Sequence, residues 1–237
     1  MKNVKSPILT LGLFAASVGC SLVYADAQDD PLLTSVMIDQ LETGLNSGDA
    51  TNVSAQAWLG YDLNKLWLKV DSEYTSSDEQ ELEVQALYSH AVAPYWNLQM
   101  GVRQDIKPTP TRHWAVLGVQ GLAPYWFDID AALFLGEEGR SAVRLSVEQE
   151  WLVTQKLILT PEIEMNAYSQ NDAKTNIGSG LSDISAGLRL RYEITRKFAP
   201  YIGLDWSRKL GNTADLVRSD GESISETQFV VGVKAWF

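Results

Sequence analysis

The chain has 237 residues, with 19 Lys+Arg against 30 Asp+Glu and a net charge of −11. Such an acidic chain has no electrostatic reason to bind the phosphates of a nucleic acid; its surplus carboxylates attract cations instead. The single cysteine, Cys20, excludes a disulfide framework and a thiolate metal cluster.

The amino end reads as a leader. Lys2 and Lys5 precede an apolar run over 8–18, and Ala25 and Ala27 stand in the small-residue spacing of a cleavage site. That is the layout of a secretory signal peptide, and the run is about half of what a membrane-spanning helix needs. Residues 1–25 are therefore expected to be removed by cleavage after Ala25 or Ala27, and Cys20 with them. Gly19 and Cys20 make only a poor lipoprotein box, because Ser17 stands where such boxes carry Leu. Residues 26–33 follow as a short periplasmic lead, and 34–237 as the folded domain. No later segment holds about 18 consecutive apolar residues, so no transmembrane helix is expected.

From there period two runs almost unbroken. Around Ile184, the residues Ile184, Ala186, Leu188, Leu190 and Tyr192 share one face, and Ser185, Gly187, Arg189, Arg191 and Glu193 the other. Twelve strands are expected, over 34–45, 52–61, 65–74, 80–92, 95–105, 113–121, 125–136, 141–153, 156–168, 181–195, 198–209 and 226–237. Most are near the length of about 9–11 residues with which a tilted strand crosses a bilayer.

The connections alternate in length. Those at 62–64, 93–94, 122–124, 154–155 and 195–197 are short; those at 46–51, 75–79, 106–112, 137–140, 169–180 and 210–225 are longer or more polar. Short periplasmic turns and longer outer loops are the habit of transmembrane barrels, and an even strand count puts both termini in the periplasm. Ala-Pro-Tyr recurs at 93–95, 123–125 and 199–201, twice followed by Trp. Proline suits a turn or strand start, so these aromatics are expected at one membrane level as an interfacial girdle. The chain closes on FVVGVKAWF (229–237), an alternating strand with a terminal aromatic. The fold class is therefore an all-β, antiparallel transmembrane β-barrel of about twelve strands in the cell outer membrane.

Four stretches carry a family resemblance: DLNKLWLKV (62–70), LYSHAVAPYWNLQMGVRQD (87–105), GVQGLAPYWFDIDAALFLGEEGRSAVRLSVEQEWLVTQKLIL (118–159) and IGSGLSDISAGLRLRYEITRKFAPYIGLDW (177–206). With the closing strand they resemble the copper resistance protein B family. The resemblance implies an outer-membrane barrel of copper homeostasis that binds or moves copper ions. It also implies a periplasmic copper protein, such as a multicopper oxidase, as partner. Members of the family often carry a Met- and His-rich segment ahead of the barrel. This sequence has neither His nor a Met cluster before Met37.

Copper chemistry narrows the candidates. Cu(I) favours thioether and thiolate, and Cu(II) favours imidazole with carboxylate. Met100 and Met165 share faces with Leu98 and Ile163 and read as lipid-facing. Met37 stays unassigned, because the first strand alternates poorly. His90 reads as interfacial surface. His113, at the outer rim before Trp114, is the better ligand, with a plain surface histidine as the alternative.

The lumen offers more. Alternation turns thirteen acids and seven bases inward; an Arg or Lys facing lipid at the midplane would cost about 2–4 kcal/mol. Asp128, Asp130, Glu148, Glu162 and Glu164 are the expected cation-pathway lining. Asp205 is expected at mid-height beside Glu148, Glu162 and Arg189. Lys69, Asp71, Arg144, Arg189, Arg191 and Lys234 form the expected charged network. Two readings stand: a static network that plugs the barrel, or rings of acids that favour cations.

Some outer-membrane phospholipases are also twelve-stranded, but they need serine within reach of histidine. His90 and His113 have no serine two residues on, so no enzyme is expected. A narrow general cation porin, or a structural barrel without metal selectivity, is the remaining alternative.

Overall fold

The computed structural model describes residues 30–45, 50–74 and 80–237. The expected signal peptide lies outside them, as do residues 26–29 of the expected lead.

One antiparallel sheet contains thirteen strands: β1 (Leu33–Gly44), β2 (Thr51–Gly60), β3 (Asn64–Tyr74), β4 (Gln80–Ala93), β5 (Trp96–Lys107), β6 (Arg112–Ala123), β7 (Phe127–Gly136), β8 (Ser141–Gln149), β9 (Trp151–Leu152), β10 (Leu157–Tyr168), β11 (Gly180–Tyr192), β12 (Phe198–Lys209) and β13 (Ser225–Trp236). β9 is a two-residue continuation of β8 along β10, across a break at Glu150. Twelve strands therefore span the barrel, as the periodicity predicts. β13 pairs with β1 and β10 with β11, which closes the sheet. Among the described residues closure gives each of the twelve spanning strands a neighbour on both sides, the condition for strands in hydrocarbon.

The alternation now has a direction. Leu66, Leu68, Met100, Val102, Leu117, Ile202 and Phe229 are exposed on the outer face. Charged and amide side chains turn inward. Water is the buried partner and lipid the outer one, the inverse of a soluble sandwich.

β1 begins and β13 finishes at one end, here the near end, and its turns are short. The distal end carries the two longest connections among the described residues, 169–179 and 210–224, and the second includes a helix, α1 (Gly211–Ser219). Thr213, Ala214 and Val217 are its buried face. Asn212 Nδ2 donates to Ser179 Oγ at 2.9 Å, and the Gly178 amide to Thr213 Oγ1 at 2.8 Å, joining α1 to the β10–β11 loop.

Two of the three Ala-Pro-Tyr segments are near-end turns. Tyr95 and Tyr125 both sit at φ 67° and are 74 % and 82 % exposed. The third is not a girdle turn. The β11–β12 connection ends at Lys197, so Ala199, Pro200 and Tyr201 lie inside β12, and alternation sends Tyr201 inward, where it is buried. Gly232, its register partner on β13, makes room: a Cβ there would lie 2.6 Å from the Tyr201 ring.

β1 alternates poorly because it is bulged. Its register slips between Ile38 and Gln40 against β2, and between Ile38 and Leu41 against β13. The extra residue lets Asp39 and Gln40 both reach the lumen and sends Glu42 inward beyond them.

The interior has two halves. Leu87, Trp114, Val116, Phe134 and Ala142, backed by Trp67, Ala132 and Tyr168, form an apolar cluster inside the wall of β3–β10. Arg103 and Arg144 lie 4.6 and 5.6 Å from the Phe134 ring centroid, a geometry in which a ring face attracts a cation. The rest of the interior is polar, and the cavity lies between it and the apolar cluster, which supplies Trp67, Leu87, Val116, Ala132 and Phe134 to its lining.

Candidate functional site: the acidic lumen

The lumenal cavity has a volume of ≈ 690 Å³ and is lined from every spanning strand. Asp128, Asp130, Glu148, Glu162 and Glu164 all line it, and so do Lys69, Asp71, Arg144, Arg189, Arg191 and Lys234. Asp205 stands just behind, 3.6 Å from Arg189. His113 is elsewhere. It is exposed on the outer face of β6, paired with Gln104, while its neighbour Trp114 points inward.

Two ion-pair knots cross the lumen. In the first, Arg189 Nε and Nη2 donate to the two Glu42 oxygens at 3.0 and 2.9 Å, and Nη1 donates to Glu162 at 2.9 Å. Tyr201 donates to Glu42 at 2.9 Å and Asn52 at 3.4 Å. β12 and β13 separate Glu42 from Arg189, so the pair ties non-adjacent strands. Gly187 leaves space for the guanidinium, since a Cβ there would collide with Arg189 Nη1. In the second knot, Glu83 on β4 takes Arg144 Nη1 and Nη2 from β8 at 3.1 and 2.9 Å, and Arg103 at 2.8 Å. Lys69 reaches Asp130 at 2.9 Å, and Lys234 reaches Asp39 at 3.4 Å. Arg191 holds Glu150 at 2.7 Å.

The knots leave certain acids over. Among the described residues Asp128, Glu148, Glu73 and Glu81 have no ion pair within 4.0 Å; Asp71 has only the Ser54 hydroxyl, at 2.6 Å. The four form two opposed pairs: Asp128 faces Glu148 across β7–β8, each one residue from the near end of its strand and not at the mid-height expected of Glu148, and Glu73 faces Glu81 across β3–β4 at the distal end. Glu148 in turn faces Glu162 across β8–β10. Like charges directly opposite on neighbouring strands destabilise a sheet, by about 0.2–1 kcal/mol. Both pairs open on the same cavity. Among the described residues no group of three or more His, Cys, Asp or Glu is arranged to hold a metal ion. The donor set is oxygen on a wide wall, suited to hard or hydrated cations.

Sequence reasoning did not place Glu42 or Asp39 inward, because a bulge breaks period two. Gly232 was a usable signal: a glycine on the inward face of a strand marks the approach of a large side chain.

The family model described as "Copper resistance protein B precursor (CopB)" matches residues 32–237. Copper resistance protein B of Escherichia coli is 43% identical over 205 residues, covering 85% of this chain and 69% of that protein. The copper resistance protein B homolog of Pseudomonas syringae pv. tomato is 42% identical over 210 residues, covering 88% and 71%. Among solved structures, the NanC porin superposes with a TM-score of 0.55 at 14% identity, covering 86% of this chain and 99% of that one. The KdgM porin gives 0.54 at 12%, with the same coverage. At such identity the porins speak for the barrel alone.

Proposed function

The chain belongs to the copper resistance protein B family of outer-membrane barrels, and we propose that it serves copper homeostasis by letting copper ions enter and cross an acidic lumen. The supporting observation is the pair of opposed carboxylates at each end of one cavity, Asp128/Glu148 and Glu73/Glu81. A cation entering either mouth relieves a like-charge repulsion that the empty fold carries. Between the mouths, Arg189, Arg144 and Lys69 are each already met by carboxylates, so a passing cation meets neutralised groups rather than a fixed positive barrier. The near end faces the periplasm in this reading, and a periplasmic copper protein takes or supplies the ion there. The copper resistance names of the relatives favour a non-enzymatic role.

The test is copper entry into liposomes containing the refolded barrel, beside the triple variant Glu148→Gln, Glu162→Gln, Glu164→Gln. Entry above that of empty liposomes, reduced in the variant, is expected. Entry no faster than into empty liposomes would sink the pathway and leave a plugged barrel.

A further inference from the structure

The pathway takes copper in one oxidation state, and the placement of the soft side chains says which. Beyond residue 29 the chain holds three methionines, two histidines and no cysteine: Met37, Met100, Met165, His90 and His113. Residues 46–49 and 75–79 contain none of these types. Met100 is 46 % exposed on the outer face. Met165 stands on β10 out of phase with the lumenal Glu162 and Glu164. His90 is exposed at the near end, its Nδ1 2.8 Å from Asn64 Oδ1, which also accepts from Tyr88. His113 is exposed on the outside of β6. Only Met37 lines the cavity. Cu(I) is selected by thioether and thiolate ligands, and one thioether is no relay. The lumen instead presents carboxylates, amides and hydroxyls.

Charge points the same way. The potential of a lumen rich in acids acts twice on a doubly charged ion. If it enriches a monovalent cation by some factor, it enriches a divalent one by the square of that factor.

We propose, resting on the pathway reading above, that the lumen handles copper as the hydrated divalent ion, Cu(II), and selects by charge rather than by ligand softness. Zn(II) therefore passes at about the rate of Cu(II), and Met37 is dispensable.

The test compares three ions in the same proteoliposomes: Cu(II), Zn(II), and Cu(I) supplied anaerobically as its weak acetonitrile complex. The expected result is Cu(II) and Zn(II) entry at similar rates, with Cu(I) slower by about tenfold or more. The variant Asp128→Asn, Glu148→Gln should slow both divalent ions alike, and Met37→Leu should leave them unchanged. Cu(I) entry as fast as Cu(II), or loss of copper entry in Met37→Leu, overturns the inference while the pathway itself survives. If copper enters in neither state, the pathway and the inference fall together.

Discussion

Glu42 is 2 % exposed, and it keeps a charge in that position because the Arg189 fork, Tyr201 and Asn52 all donate to it. An isolated carboxylate buried so deeply would be costly; a forked, fully bonded one is tolerated. Glu42→Ala should therefore destabilise the barrel by about 3 kcal/mol in urea unfolding from lipid, the low side of breaking a buried pair. Glu162 and Asp205 remain to share Arg189, which is why the larger end of that range is not expected. Tyr201→Phe removes one hydrogen bond to a charged group and should cost about 1.5–3 kcal/mol. A change below about 0.5 kcal/mol in both would mean the knot is ornamental. The inward charges on the regular strands, such as Asp130, Glu162 and Arg189, are readable from period two alone. Glu42 and Asp39 are not, because the β1 bulge resets the phase between them and the rest of the strand.

The strands themselves are legible because hydrocarbon outside and water inside enforce alternation over their whole length. With β9 counted as the continuation of β8, no expected strand end differs from the structure by more than three residues. What escaped is where neighbours decide. The tripeptide Ala-Pro-Tyr forms a turn twice and lies within β12 once, the difference being where the preceding connection stops. Helix α1 falls in a stretch whose sequence resembles polar loop, since nine residues with only Ala214, Leu216 and Val217 as an apolar stripe give a weak helical period. Its anchor is the β10–β11 loop. There Asp172 accepts from Arg112 Nε and Nη2 at 3.0 and 2.6 Å, and Arg112 projects from the distal mouth at the start of β6. Asp172→Ala should loosen this strap without unfolding the barrel. Hydrogen exchange is expected to speed up over 169–179 and 211–219 and to stay slow in the strands. Equal acceleration across β6 and β10 would show instead that the loop is part of the barrel's stability.

At the scale of the molecule the barrel divides its interior between packing and passage. Phe134, 2 % exposed between Arg103 and Arg144, is the centre of the packed side, and Phe134→Ala should cost about 3–5 kcal/mol. The same variant should raise ion conductance, because it opens a wall of the cavity that Phe134 lines. This division was not legible in the sequence. Alternation tells which residues turn inward, but whether they fill space or line it depends on which strands face each other across the lumen. The most direct test of the account is the reversal potential of the wild-type barrel in a planar bilayer under a salt gradient. A steady current with cation selectivity is predicted, with the selectivity falling toward zero in Asp128→Asn, Glu148→Gln. No current above the bare bilayer, or a current selective for anions, would contradict an acidic pathway through this barrel.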